Sequence, residues 1–219
     1  MIKAVIFDFD GLLVDSEYIC YEIFRDFLAT YQQPFPLSEY VAKCSGRQLT
    51  STIQLFHDQY NDAINMDTFK AYMDQSEVDL EAQAPLKKGA VELLDYLKAH
   101  DIKIAMATSS TKERTSRMLA PHGVEHYFDD GVYHGDIKNG KPAPDVFLKA
   151  IEKLGVQAEE AIVLEDSESG IKASYNAHIP VICIPDLKVP TDEVKDMATA
   201  ILDDLTCVID YIDKENDMI

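Results

Sequence analysis

Apolar residues follow two rhythms along this chain. Ala4-Val5-Ile6-Phe7 is a short continuous apolar run, and it ends at Asp8-Phe9-Asp10-Gly11. Such a run, stopped abruptly by acids, predicts a buried parallel strand opening into a polar site. From Tyr18 to about Ala82 the spacing is helical. Ile19, Ile23, Phe24, Phe27 and Leu28 recur at intervals of three and four, which makes one amphipathic face. Pro34 and Pro36 interrupt it, and Ser38 is placed to cap a second, short helix. Cys44-Ser45-Gly46-Arg47 reads as a loop. Leu49 to Tyr60 and Met66 to about Leu80 resume helical spacing. No strand-like alternation stands out in this stretch.

After Pro85 the pattern alternates. Val91, Leu94 and Leu97 mark a helix, and Ile102 to Ala107 reads as a strand ending in Thr108-Ser109-Ser110. A helix from about Lys112 to Leu119 follows, then a short strand at Gly131-Val132-Tyr133 and a helix from Ala143 to Leu154. Ala161 to Leu164 is a strand ending in Glu165-Asp166-Ser167. Ile171 to Ala177 is a helix, and Pro180 to Ile184 a strand. The architecture this predicts is a doubly wound parallel α/β sheet, Rossmann-like, interrupted after its first strand by a helical insert. The expected boundaries are 1–16 and 83–219 for the α/β unit and 17–82 for the helical one.

The chain has 219 residues, enough to bury a substantial core in one large or two unequal domains. Its formal net charge of -19 argues against nucleic acid or an anionic membrane as partner, since both are polyanions. A phosphorylated metabolite stays compatible, because a bound cation inverts the local field. The cysteines, Cys20, Cys44, Cys183 and Cys207, show no metal spacing and are expected to be reduced thiols of a cytoplasmic protein. The N-terminal residues read as a strand rather than a leader, and no run is long enough to span a bilayer. The six histidines show no ligand spacing. The acidic stretches Asp203-Asp204 and Asp210 to Asp217 read as a solvated helix end or tail. The expected state is a monomer, with a dimer as the alternative.

Polar residues sit at the predicted strand ends. The first strand delivers Asp8 and Asp10, the second Thr108 and Ser109, and a later one Glu165 and Asp166. A separate segment, Gly140-Lys141-Pro142-Ala143-Pro144-Asp145, places a lysine before a helix. Singly, each has a plainer reading. Asp-x-Asp-Gly is a common strand-end turn, Thr108 could cap a helix, Lys141 could be a surface lysine, and Glu165-Asp166 a solvated loop. Together they converge at one sheet edge, which the plain readings do not require. Clustered carboxylates suit a hard cation such as Mg2+. A hydroxyl, backbone N–H groups and an ammonium suit phosphoryl oxygens. One carboxylate could attack phosphorus while another moves protons.

At these residues the chain resembles the haloacid dehalogenase (HAD) superfamily, over essentially its whole length. Asp8-Phe9-Asp10-Gly11 with Val14-Asp15-Ser16-Glu17 is similar to the first motif of its phosphatases and sugar-phosphate mutases. Thr108 matches the second motif, Lys141 the third, and Leu164 to Gly170 the fourth. The resemblance implies Asp8 as nucleophile and Asp10 as general acid and base. It implies Mg2+ on Asp8, the Asp10 carbonyl and Asp166, with Glu165 in or near the shell. Phosphate contacts from Thr108, the Ser109 backbone and Lys141 are implied as well, and the insert becomes a mobile cap.

The β-phosphoglucomutase-like branch, which also contains sugar-phosphate phosphatases, is the most similar. The chain departs from the mutase pattern at Cys20, where mutases carry His, and at Ser45-Gly46, where they carry Lys-Gly before an Arg. The position of that Arg falls near Leu49, and Arg47 is the nearby substitute. Both departures weaken a distal phosphate site. The expected function is therefore Mg-dependent hydrolysis of small phosphomonoesters, sugar phosphates first, with a phosphosugar mutase second and a non-catalytic phospho-ligand-binding protein third. A metal-free dehalogenase has no use for Asp10 or the Glu165-Asp166 pair. A receiver-type signalling domain is about half this length and lacks the insert.

Overall fold

The computed structural model describes residues 1–45, 49–60, 64–81 and 83–217. Its centre is a six-stranded sheet, every strand parallel to its neighbours, in the order β3-β2-β1-β4-β5-β6. The strands are β1 (Ala4–Phe7), β2 (Lys103–Ala107), β3 (Asp130–Val132), β4 (Ala161–Glu165), β5 (Val181–Cys183) and β6 (Ala200–Ile201). The helices in chain order are α1 (Ser16–Thr30), α2 (Leu37–Lys43), α3 (Leu49–Tyr60), α4 (Met66–Glu81), α5 (Ala90–Ala99), α6 (Lys112–Leu119), α7 (Asp145–Leu154), α8 (Glu168–Asn176), α9 (Asp192–Lys195) and α10 (Thr206–Asp217).

Alternation along the strands divides the core. Val5, Phe7, Ile104, Met106, Ile162 and Leu164 face one side, where they meet α5, α6 and α10. The intervening Ala4, Ile6, Ala105, Ala107 and Val163 face the other, under α7 and α8. Both faces are covered, so β1 and the first four residues of β4 are apolar throughout rather than alternating. The small residues on the second face leave room for Phe147 and Val146 of α7.

Helices α1 to α4 enclose a third apolar cluster of their own, rich in aromatics. Phe24, Phe27, Phe56 and Phe69 form its centre, with ring centroids 4.9 Å apart for Phe27–Phe69 and 5.4 Å for Phe56–Phe69. These are the tilted and edge-on contacts aromatic rings favour. Tyr21 is buried here, while Tyr18 beside it is largely exposed.

Several local expectations are corrected. Ser38 lies inside α2, whose N-cap is Pro36. Val91 is on the outer side of α5, and Leu93 takes the inward place beside Leu94 and Leu97. Of the two readings of the acidic C-terminal stretch, the helix end holds: Asp210, Asp213 and Asp217 are exposed on α10. Val208 and Ile212 of α10 are buried against α5, and Asp204 receives hydrogen bonds from the Thr206 backbone and hydroxyl at the start of that helix. Helix α9 and strand β6 had no clear apolar signal. No disulfide joins the four cysteines.

Candidate active site

Strand register assembles the site. Phe7 pairs with Met106 on one side and Leu164 on the other. The next residues, Asp8 and Glu165, therefore emerge side by side, and the Asp8 N–H donates to the Leu164 carbonyl at 3.0 Å. Thr108 follows the end of β2. All three are buried: Asp8 is 7%, Thr108 1% and Glu165 0% exposed. Ligands of open α/β sheets collect at this edge, beyond the carboxyl ends of the strands.

Lys141 closes the group from the segment before α7. Its ammonium donates to Asp8 Oδ1 at 2.5 Å and to Glu165 Oε1 at 2.6 Å, and it lies 5.0 Å from the centre of the Phe147 ring. It is not the surface lysine of the plainer reading. The second oxygen of Glu165 accepts from the N–H groups of Asp166 and Ser167 and from the Ser167 hydroxyl. Glu165 thus pins Lys141 and the turn into α8 together. A Cβ at Gly170 would meet Glu165 Oε1 at 1.6 Å, so only glycine lets this carboxylate lie against the helix.

The Lys141 ammonium contacts two acids, and a third, the half-buried Asp166, lies beside them. Burial is the main cause that pushes the Asp8 carboxyl up, to about 7, against the opposing pull of Lys141. Burial, followed by repulsion from Glu165 and Asp8, raises Asp166 well above the ordinary carboxylate range. Such a set is stable only if it holds protons or a cation.

The residues fit a divalent cation. Asp8, Glu165 and Asp166 each offer an oxygen within 4.8 Å of the others. Among the described residues, two buried side-chain oxygens have no hydrogen-bond partner, Asp166 Oδ1 and Asp186 Oδ2. Unsatisfied, buried, anionic oxygens are what a hard cation with its waters would satisfy. Gly11, at a φ of +79°, turns the chain beside them, and a Cβ there would meet Asp166 Oδ2 at 2.5 Å. The sequence reading missed Asp186. Its signal was the one used elsewhere, an acid just past an apolar strand. Lys87 pairs with its other oxygen at 2.6 Å and lies 3.8 Å from Asp15.

Asp10 sits apart from this cluster. One Arg114 nitrogen lies 2.7 Å from both of its carboxylate oxygens, and the Ser110 hydroxyl donates to Oδ2 at 2.6 Å. The Asp10 carboxylate is thus held from the side of α6 and the turn before it. Neither Ser110 nor Arg114 was foreseen. Thr108 Oγ1 accepts from the Ser110 N–H at 3.0 Å, and the N-cap of α6 is Thr111, not Thr108. Ser109 is exposed at the turn between them.

From the helical side, Glu17 of α1 accepts from the Tyr40 hydroxyl at 3.0 Å and bonds Ser45, and burial raises its carboxyl above the ordinary range. Cys20 is half-buried, and Arg47 lies outside the described residues. A cleft of about 280 Å³ opens beside Asp166, lined by Ser45 from the helical side and by Ser169, Lys172 and Asp186 from the other.

A family model described as "Haloacid dehalogenase-like hydrolase" matches residues 5–184. The chain is 31% identical to a phosphorylated carbohydrates phosphatase of Thermotoga maritima over 81% of this chain and 82% of that protein. It is 30% identical to (DL)-glycerol-3-phosphatase 2 of Arabidopsis thaliana, over 98% and 90% of the two chains. Among solved structures, a T. maritima protein provisionally named a beta-phosphoglucomutase superposes with a TM-score of 0.82 at 26% identity, covering 97% of this chain and 99% of that one. With that family model spanning most of the sheet and both acid-bearing strand ends, the chain belongs to the haloacid dehalogenase-like hydrolases.

Proposed function

We propose that this enzyme is a Mg2+-dependent phosphatase that hydrolyses small phosphomonoesters, sugar phosphates foremost, through a phosphoaspartate at Asp8. One observation carries the reading. Buried Asp8 and Glu165 share the Lys141 ammonium, and the half-buried Asp166 lies beside them, at the carboxyl edge of the sheet. The named phosphatases among its relatives support the same class.

In this reading Asp8 and Asp166, with the Asp10 carbonyl, hold the Mg2+, and Glu165 keeps its place beside them with both oxygens engaged. The ion, when bound, offsets the negative charge of the acids and of the phosphoryl group. Asp8 attacks phosphorus and the bond to the leaving oxygen breaks, while Asp10 gives that oxygen a proton. Water then gives a proton back to Asp10 and attacks phosphorus, the Asp8–phosphorus bond breaks, and inorganic phosphate leaves. Lys141, the Thr108 hydroxyl and the Ser109 N–H address the phosphoryl oxygens. Residues 17–82 act as a cap over the site carried by 1–16 and 83–219, and the cleft beside Ser45 takes the leaving group.

A mutase is the second reading, favoured by the superposition on the Thermotoga protein. A mutase must hold a bisphosphate tightly and return the phosphoryl group to a sugar hydroxyl before water takes it. Cys20 and Ser45 do not supply the charges a distal phosphate needs. The deciding assay supplies β-glucose 1-phosphate with its 1,6-bisphosphate and follows glucose 6-phosphate against free phosphate. Phosphate release with little isomerisation is expected. Rapid isomerisation without phosphate release would overturn the phosphatase reading and leave the Asp8 chemistry standing.

A further inference from the structure

We infer that Arg114 and Ser110 are positioning residues that set the direction of the Asp10 carboxylate, and so govern proton delivery to the leaving oxygen. The inference rests on the proposed role of Asp10 and adds the residues that make that role possible.

Asp10 lies beyond the end of β1, in a turn held by backbone bonds from Gly11 to Val14 and from Leu13 and Val14 to Phe9. Its side chain has no support from the sheet. Support comes instead from across the cleft, 100 and 104 residues later in the chain. Arg114 Nη1 lies 2.7 Å from Asp10 Oδ1, 2.7 Å from Oδ2 and 2.7 Å from Ser110 Oγ. Ser110 Oγ in turn lies 2.6 Å from Asp10 Oδ2. The three side chains form a closed triangle in which every bond constrains the carboxylate. Its members are mostly covered, with 17% of the Arg114 side chain and 30% of that of Asp10 exposed. Ion pairs with this geometry and cover hold orientation far better than open surface pairs do.

The elements involved link this triangle to the rest of the site. Ser110 shares its turn with Thr108 and Ser109, and its N–H donates to Thr108 Oγ1. Arg114 lies one turn into α6, whose start is capped by the Thr111 side chain. Helix α6 also lies against α4 of the helical insert. The segment that would meet the phosphoryl group thus also aims the acid, and it touches the insert that would close over both. Proton transfer demands placement within hydrogen-bond reach, so a carboxylate freed to rotate would lose much of its effect.

The test uses purified full-length protein with Mg2+ and two substrates of similar shape. p-Nitrophenyl phosphate has a leaving group that departs without a proton, whereas phenyl phosphate needs one. The value of kcat/KM reports the step that forms the phosphoaspartate. Arg114→Ala should lower kcat/KM for phenyl phosphate at least about tenfold more than for p-nitrophenyl phosphate, in the range a displaced general acid loses. Arg114→Lys should recover part of that ratio, and Ser110→Ala should shift it in the same direction. A purely structural role would depress both substrates equally, and an unchanged ratio in all three variants overturns the inference. Should Arg114→Ala fail to fold, the other two variants read the same ratio. Asp10→Asn separates the two levels. If it leaves the ratio as in the wild type, the proposed role of Asp10 is wrong; if it shifts the ratio and the Arg114 and Ser110 variants do not, only the positioning inference fails.

Discussion

Lys141 is buried between Asp8 and Glu165, with Asp166 close by and no second ammonium hydrogen-bonded to Asp8 or Glu165 among the described residues. Removing it leaves buried acids without a counter-charge, a change that costs about 3–5 kcal/mol in comparable buried pairs. Asp8 and Asp166 can take up protons, which lessens the repulsion at low pH. Lys141→Ala should therefore lower the melting temperature of chelator-treated protein more at pH 8 than at pH 5. An equal drop at both would show that the ammonium does not neutralise these acids. Asp8→Asn should keep the fold, seen as unchanged circular dichroism, and lose about 10³-fold or more in turnover, because the attacking oxygen is gone. Substantial steady phosphate release by a clean sample would remove Asp8 from the mechanism. At this scale the sequence displayed Asp8, Thr108, Glu165 and Asp166 through one rule, polar residues at strand ends, and Lys141 through its place in a Gly-Lys-Pro segment before a helix. The same rule covered Asp186, which follows β5, and went unapplied there. Arg114 obeyed no such rule, since nothing local marks an arginine whose partner lies 104 residues away.

The helical insert was legible as an element because aromatic and aliphatic residues at three- and four-residue spacing need a common interior. Phe69 is fully buried there and contacts the rings of Phe24, Phe27 and Phe56. Phe69→Ala should destabilise the protein by about 3–5 kcal/mol, the usual loss for a large aromatic in a packed core. Thermal or urea denaturation checks it, and a loss under about 1 kcal/mol would mean the cluster is loosely packed. Ser38 and Val91 show why element boundaries and faces were harder to read. A serine near a helix start competes with Pro36, whose fixed backbone already suits the position before the first turn. Val91 has the right character for an interior face, but the rotation of α5 against the sheet places Leu93 there instead.

Across the whole molecule, charge couples stability to pH. In the unfolded chain Asp8 ionises near 3.8, and in the folded, metal-free protein near 7. Between those values the folded chain holds a proton that the unfolded chain has released, so stability falls as pH rises. The contribution is complete below about pH 4 and is lost through about pH 7, and Asp166 acts in the same direction. Protein in chelator should therefore melt lower at pH 8 than at pH 5.5. Added Mg2+ should raise the melting temperature most at the higher pH, since binding stabilises the folded state by mass action. A chelated protein more stable at pH 8 than at pH 5.5, with no response to Mg2+, would refute the metal assignment. Asp166→Ala should weaken that Mg2+ response and raise the concentration needed for half-maximal activity.

The order of strands and helices from β1 to β5 was determined by the sequence alone, because burial on both faces of a parallel sheet demands continuous apolar runs and the insert demands a different period. So were the residues at the strand ends, since acids and hydroxyls cannot stay inside such runs. Only the tertiary structure decided which of those residues meet. Parallel register placed Asp8 beside Glu165, and the chain path before α7 brought Lys141 between them. The turn after β2 carried Ser110 and Arg114 to Asp10. These contacts join positions more than twenty residues apart, most of them more than a hundred. Local periodicity carries no record of such distances, and packing alone sets them.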